Sequence, residues 1–228
     1  MDLSYRLNKI SQKVNENGII ADIGTDHAYI PIFLYKNNKI TKGIACDISK
    51  GPLKNANENI ARYNLQDKIE TRLSDGLSKI TLDDKVDTII ISGMGGMLII
   101  DILENGKEIV QNAKELILQP QKSVNRVRNY LHKIGFKIEE DEMIKEDNRF
   151  YSIIRAVKGN EEIAYTKEEY LFGKFDINKK SVILKEYIEE ELYKMNIILK
   201  KLKNINVEER ILEIENNIKT YMEVLKCL

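Results

Sequence analysis

The chain has little of what builds metal and redox centres. Two cysteines and two histidines stand among its 228 residues. Cys46 and Cys227 lie far apart and match no zinc or redox spacing, so a dithiol enzyme is excluded and a reducing cytoplasm is the expected home. His27 and His132 are too few for a histidine-rich metal site, and no metal is expected. No apolar run reaches the roughly 18 residues that a membrane span needs. The opening MDLSYRLNKISQKVN holds no apolar signal-peptide core. Net charge is absent as well: 36 basic residues balance 36 acidic ones. Bulk charge therefore makes no case for nucleic acid, and any such case rests on local patches.

What is present is apolar and patterned. Hydrophobic residues make up 43% of the chain, enough for one α/β core with something left over. The stretch 19–31, IIADIGTDHAYIP, organises the rest. Ile19, Ile20 and Ala21 follow the turn pair Asn17-Gly18 and predict a buried parallel strand ending at Asp22. The chain then turns through Gly24-Thr25-Asp26, and Ala28, Ile30, Phe33 and Leu34 begin a helix with Pro31 in its first turn. Such a turn lies at the carboxyl edge of an open sheet, where ligands bind.

The chemistry of this turn separates cofactors. A dinucleotide wants three glycines and a bare helix N-terminus for its phosphates. Here one glycine is flanked by Asp22 and Asp26, whose carboxylates repel a pyrophosphate. S-adenosylmethionine has no phosphate and carries a sulfonium and an ammonium, so an acidic turn suits it. The alternative is that Asp22 and Asp26 only cap the helix.

Taken in order, residues 3–14 place Leu3, Leu7, Ile10 and Val14 at helical spacing with Arg6, Lys9 and Lys13 outside, which predicts a helix with a basic face. Strands are predicted over 43–48, ending in Asp47, over 69–73, leading into Ser74-Asp75-Gly76, and over 86–92, breaking into Gly93-Met94-Gly95-Gly96. Helices follow over 52–63, with Ser49 as a cap, and from the glycines to Gly106. A strand over 115–119 ends at Pro120, a helix covers 124–134, and 136–143 pairs with 150–157 as an antiparallel hairpin. The alternation predicts a doubly wound sheet with one reversed edge strand. Beyond Lys158 the composition shifts. Residues 164–228 contain one glycine and no proline. Leu184, Ile188, Leu192, Met195, Leu199 and Leu202 form one stripe, and Val207, Ile211, Ile214, Ile218, Tyr221 and Leu225 a second, with Asn204-Ile205-Asn206 between. Two long helices folding back as an antiparallel hairpin are expected, giving domains 1–158 and 159–228.

Three acids carry the candidate site. Asp47 stands 23 residues beyond Gly24, where an acid accepts from a ribose diol. Ile48 beside it is placed to cover an adenine face. Asp75 is placed to accept from the adenine amino group, although an Asp-Gly pair also makes an ordinary turn. Convergence of Asp22, Asp47 and Asp75 on one edge is more specific than any single member. Gly93, Gly95 and Gly96 allow backbone to approach a flat ligand, or serve helix–sheet packing. Gln119 or Gln121 is placed to read a base edge, with packing as the alternative. No acid occurs between Leu116 and Ile138, while Lys122, Arg126, Arg128, Lys133 and Lys137 supply charge. With Arg6, Lys9 and Lys13 they offer two basic faces for phosphates, or simply solvated helix faces.

ADIGTDHAYIP, SDGL, ISGMGG and LILQPQ, in this order and spacing, resemble the bacterial tRNA (adenine-22-N1)-methyltransferase family. The resemblance is dense over 3–157 and compositional beyond about 164. It implies a seven-stranded Rossmann-like sheet, its last pair antiparallel, with a C-terminal coiled-coil hairpin. It also implies S-adenosyl-L-methionine as methyl donor, S-adenosyl-L-homocysteine as product and tRNA as partner; a cytoplasmic monomer or weak dimer is expected. By the same resemblance Asp22, Gly24, Asp26, His27 and Tyr29 surround the methionine and sulfonium end. Asp47 and Ile48 meet the ribose and adenine, Asp75-Gly76 the adenine, and Gly93-Met94-Gly95 the substrate base. Family members often carry glutamate where this chain has Asp47, a shorter acid that still reaches a diol.

Adenine N1 has an in-plane lone pair and attacks a methyl carbon without first losing a proton, so the expected reaction depends on positioning. Asp26 is the candidate carboxylate for the growing ring charge, or a ligand of the donor's ammonium, with the Gly93 carbonyl assisting. His27 shapes the turn, and Tyr29 is placed to stack on the flipped base. Arg6, Gly95, Gln119, Lys122 and Arg126 complete the expected RNA contacts. The alternatives are methylation of another RNA, a protein or a small molecule, and a non-catalytic RNA-binding module. A nicotinamide dehydrogenase is disfavoured by the missing glycines.

Overall fold

A computed structural model of the chain describes residues 1–203 and 208–228. The expected turn at Asn204-Ile205-Asn206, and Val207 at the head of the second stripe, lie outside the described residues. The sheet is built from β1 (Gly18–Ile23), β2 (Ile40–Asp47), β3 (Ile69–Leu73), β4 (Thr88–Met94), β5 (Glu115–Pro120), β6 (Phe136–Glu146) and β7 (Arg149–Lys158). Helices α1 (Tyr5–Gln12), α2 (Tyr29–Lys36), α3 (Lys50–Arg62), α4 (Gly96–Asn105), α5 (Lys107–Asn112) and α6 (Val124–Lys133) flank it. Four more follow: α7 (Lys167–Phe172), α8 (Lys174–Asn178), α9 (Val182–Lys203) and α10 (Glu208–Cys227).

The seven strands lie in the order β3-β2-β1-β4-β5-β7-β6. Strands β1 to β5 are mutually parallel, and only β7 runs the other way. The chain winds outward from β1 through β2 to β3, then returns to place β4 on the other side of β1. That reversal opens a crevice at the carboxyl ends of β1 and β4, where open α/β sheets bind ligands.

The core explains why these apolar runs are strands. Ile89, Ile90 and Ile91 of β4 and Leu116, Ile117 and Leu118 of β5 are all fully buried. Successive residues point to opposite faces. Ile89 and Ile91 pack with Ile99 and Leu103 of α4 and Val127 and Leu131 of α6. Ile90 and Ile117 pack with Ile10 of α1 and Ile30 and Leu34 of α2. Each buried isoleucine contributes about 1.5–3 kcal/mol, so both layers are needed to hold the central strands.

Three expectations need correction. The reversed strand is not at the edge, because β7 lies between β5 and the edge strand β6. The two strands are joined by a tight hairpin: Asp147 and Asn148 form a two-residue turn with φ of 48° and 58°, the twist that such a hairpin favours. Next, β4 does not break at Gly93 but runs to Met94, with a register shift between Ser92 and Met94. Finally, the basic face of α1 is not open. Lys9 Nζ meets Glu142 at 3.1 Å and Lys13 Nζ meets Glu140 at 2.7 Å, pinning α1 to β6.

The short helices α7 and α8 had no counterpart in the sequence pattern. The Arg128 guanidinium of α6 is buried against Asp141 of β6, with Nε 2.7 Å from Oδ2, and its Nη1 donates to the carbonyls of Tyr170 and Leu171 at the end of α7. Asp176 of α8 accepts from the Met143 amide at 2.7 Å. At the other end of the hairpin, Leu184, Ile188 and Leu192 of α9 cluster with Tyr221, Val224 and Leu225 of α10. The start of one helix therefore meets the end of the other, and the two run antiparallel as the stripes predict.

Candidate active site

The β1–α2 turn is fixed from below. The amides of Gly24 and Thr25 both donate to the Cys46 carbonyl at the end of β2, at 2.8 and 2.9 Å. Gly24 has φ +76°, a left-handed conformation that favours glycine. The N-cap of α2 is Ala28, whose amide donates to Thr25 Oγ1 at 3.2 Å. Neither Asp22 nor Asp26 caps the helix. The capping alternative fails, and both carboxylates are left for another task.

Asp22 is buried, 5% exposed, and burial pushes its carboxyl up to about 6, against a lowering hydrogen bond from Thr25, while the neighbouring Asp47 charge pushes it further up. Asp26 is exposed, with Oδ2 3.2 Å from His27 Nε2. The His27 ring stacks on Tyr29 at 4.9 Å between centroids, and Tyr29 is 40% exposed. These residues line a cavity of about 240 Å3 with Arg6 and Leu7 of α1 and Ser92 and Gly93 of β4.

Strand register brings the other two acids to the same edge. Ile23 pairs with Cys46 and Asp47 with Leu73. The Ser74 amide donates to the Asp47 carbonyl at 2.9 Å, so Asp75 follows next to Asp47. Asp47 Oδ1 accepts from the Ser49 amide at 2.7 Å, which orients its carboxylate. Ser49 occupies the N-cap of α3, but its side chain makes no cap bond there. Ile48, at 65% exposure, and Asp75 face solvent beyond the 240 Å3 cavity. The pocket thus sits at β1 and β4, and Asp47, Ile48 and Asp75 stand outside its lining at the ends of β2 and β3.

The far wall rests on Gln119. It is fully buried, and its Oε1 accepts from the Gly93 amide at 3.1 Å and from Arg6 Nη1 at 2.9 Å. Two donors on one oxygen fix the amide orientation and leave Nε2 buried without a partner. Gln119 therefore does not present a free edge to a base in this structure. It holds the β4 bulge, whose Gly93 at φ +76° faces open space, and it draws Arg6 into the wall. Past the bulge the Gln121 amide donates to the Met94 carbonyl at 2.8 Å, and the Gly96 amide to the Lys122 carbonyl at 2.9 Å. Lys122 and Arg126 are exposed there, whereas Arg128 is buried in its ion pair. Gly95 has open space around it. Sequence reasoning missed Thr25, Leu7 and Ile30 as lining residues. Only Thr25 left a signal, a hydroxyl three residues before the helix start.

Among the described residues no group of three or more His, Cys, Asp or Glu side chains could hold a metal ion. No helix among them is long and apolar enough to cross a membrane.

With a sheet of this order and acids at three successive strand ends in place, the chain can be compared with known proteins. A profile described as tRNA (adenine(22)-N(1))-methyltransferase matches residues 20–223. The chain belongs to this family. It is 31% identical over 195 residues to the tRNA (adenine(22)-N(1))-methyltransferase of Bacillus subtilis, covering 83% of this chain and 82% of that relative. Among solved family structures, Streptococcus pneumoniae Sp1610 in complex with S-adenosyl-L-methionine superposes with a TM-score of 0.91 at 31% identity, covering 98% of this chain and 100% of that one. M. capricolum TrmK in complex with S-adenosyl-homocysteine gives 0.89 at 32% identity, covering 99% and 98%. These likenesses extend across the C-terminal helices, so the sheet and the hairpin belong to one family architecture.

Proposed function

We propose that the chain transfers the methyl group of S-adenosyl-L-methionine to N1 of adenine 22 in the D-arm region of tRNA, releasing S-adenosyl-L-homocysteine. The observation that carries this reading is the buried Asp22 beside Asp26 and Asp47, around a glycine turn that has no phosphate cradle. A carboxylate kept from water at such a cost favours a cationic ligand over an anionic one. When bound, the donor supplies an electrophilic methyl group on a sulfonium.

The chain's own residues then bind and orient. Gly24 lets the backbone approach the donor, Asp22, Asp26, His27 and Tyr29 surround its methionine and sulfonium end, Asp47 takes the ribose diol, and Ile48, Asp75 and Gly76 meet the adenine. Gly93, Met94 and Gly95 face the substrate base, which Tyr29 stacks. Asp26 stabilises the positive charge that develops on the base, with the Gly93 carbonyl accepting from its exocyclic amine. Gln119 supports this wall from behind, and Arg6, Lys122 and Arg126 hold the RNA. Residues 1–158 serve as the methyltransferase domain and 159–228 as a helical appendage of a cytoplasmic monomer or weak dimer.

The test is nucleoside mapping by mass spectrometry of tRNA from a strain deleted for this gene. Loss of 1-methyladenosine at position 22 alone is expected. Unchanged tRNA, with a different RNA or protein losing its methyl group, would replace the assignment.

A further inference from the structure

A second cavity, about 690 Å3, is larger than the carboxylate-lined one and lies between α4, α6 and α7. Arg126, Lys133 and Lys167 line it, with Asn125 and Asn129 between them, and no carboxylate does. We propose that this groove carries the phosphate backbone of the tRNA strand that flanks the methylated base. The proposal rests on the function proposed above and extends it to a surface distant from the chemistry.

Charge is the first support. None of the three cations is held in an ion pair among the described residues, and Arg126 makes only a 3.6 Å contact with Met97 sulfur. Nearby carboxylates are engaged by other partners: Glu104 accepts from the Tyr130 hydroxyl at 2.5 Å, Glu161 lies 3.2 Å from His132 Nε2, Glu169 closes the cap of α7 with Thr166, and Asp141 is paired with Arg128. Cations and amides therefore line the groove and no carboxylate does, which fits a polyanion. An acidic protein segment shares the charge but not the need for the second feature.

That feature is the apolar lining. Tyr130 and Tyr165 line the groove although they are only 8% and 7% exposed, and Ile100 and Leu171 add apolar surface beside them. Apolar surface beside donors suits the sugars of a strand whose phosphates meet the cations.

Continuity is the third. Two helices that line the groove, α4 and α6, both start at the site's wall, where the Gly96 amide donates to the Lys122 carbonyl and the Gln121 amide to the Met94 carbonyl. From Arg126 to Lys133 the helix axis advances about 10 Å. That is about three steps of a stacked strand. A chain leaving the pocket past Met94 meets Arg126 first and Lys133 and Lys167 later.

The experiment compares the wild-type protein with the double variant Lys133→Ala/Lys167→Ala. Both side chains are exposed, so the fold is spared. Direct binding of an unmodified tRNA transcript is measured across a salt series, alongside KM and kcat for methyl transfer. Calorimetry with S-adenosyl-L-homocysteine and sedimentation of the free protein complete the set. The expected result is a KM for transcript raised several-fold with kcat retained, and a salt slope shallower by about 1.5. Cofactor affinity stays unchanged. Wild-type KM and salt slope in the variant would overturn the proposal. A changed oligomeric state with unaltered RNA binding would overturn it too, in favour of a second copy as occupant. Failure of the wild-type protein to methylate any transcript would instead strike the proposed function, while the salt slope would still report on the groove.

Discussion

Gly24 lies directly beneath the Met94 side chain: a β-carbon at position 24 would stand 2.1 Å from Met94 Cε. Gly24 follows the last residue of β1 and Met94 ends β4, so their contact links the ends of those two neighbouring strands. Replacing Gly24 by Ala forces a side chain into a left-handed backbone, at a cost of roughly 1–2 kcal/mol. Met94 is flexible and can move aside, so the strain and the lost approach surface dominate. Calorimetry of Gly24→Ala should show donor affinity reduced by at least about tenfold. Adding Met94→Ala should remove the clash without restoring affinity.

Asp26→Asn keeps the shape of the turn and removes a charge that nothing buries. Its partner His27 remains 3.2 Å away and Thr25 still ties the turn to Ala28. Turnover should fall by about a hundredfold or more, the usual scale for losing one group that stabilises transition-state charge. Transcript affinity, read by filter binding, should stay within about twofold. Full turnover in this variant would remove Asp26 from the mechanism.

Asp22 gives the site a pH dependence with a definite sign. Its carboxyl is raised from the ordinary 3.8 to about 6, so the free protein holds a proton there that a cationic ligand must expel. Donor affinity should therefore rise as pH goes from 5 to 7, by about tenfold if binding restores an ordinary pKa, and then level off. For the unliganded fold the sign is opposite. Stability from this group is greatest below the unfolded pKa and declines as pH climbs through about 6. Asp22→Asn should flatten both profiles, as calorimetry and thermal melts would record.

Arg128 tests the junction between sheet and hairpin. Its guanidinium is 1% exposed and its partner Asp141 is fully buried, so removing the cation leaves a carboxylate uncompensated. Arg128→Met should cost about 3–5 kcal/mol in denaturant unfolding. The pair Arg128→Met/Asp141→Leu should recover most of that loss.

The legible parts of the fold were those governed by short-range pattern. β3 occupies 69–73 as expected, and β5 ends at Pro120 within one residue of its expected end. Asp22, Asp47 and Asp75 reach one edge because parallel strands all end on the same side. What escaped were partners far away in sequence. Lys9 and Lys13 read as an open basic face because Glu142 and Glu140 lie more than a hundred residues on. Gln119 read as a substrate contact because the Gly93 bulge that engages its oxygen is a matter of register, not of composition. Helices α7 and α8 are too short for periodicity to announce, and Arg128 and Asp176 hold them from outside.

The most direct measurement is transfer of labelled methyl from S-adenosyl-L-methionine to unmodified tRNA transcripts that differ only at position 22. The account predicts incorporation into the transcript with adenine 22, located at N1 by nuclease digestion and mass spectrometry, and none when guanine replaces it. Equal incorporation into both transcripts, or labelling at another atom or position, would contradict it.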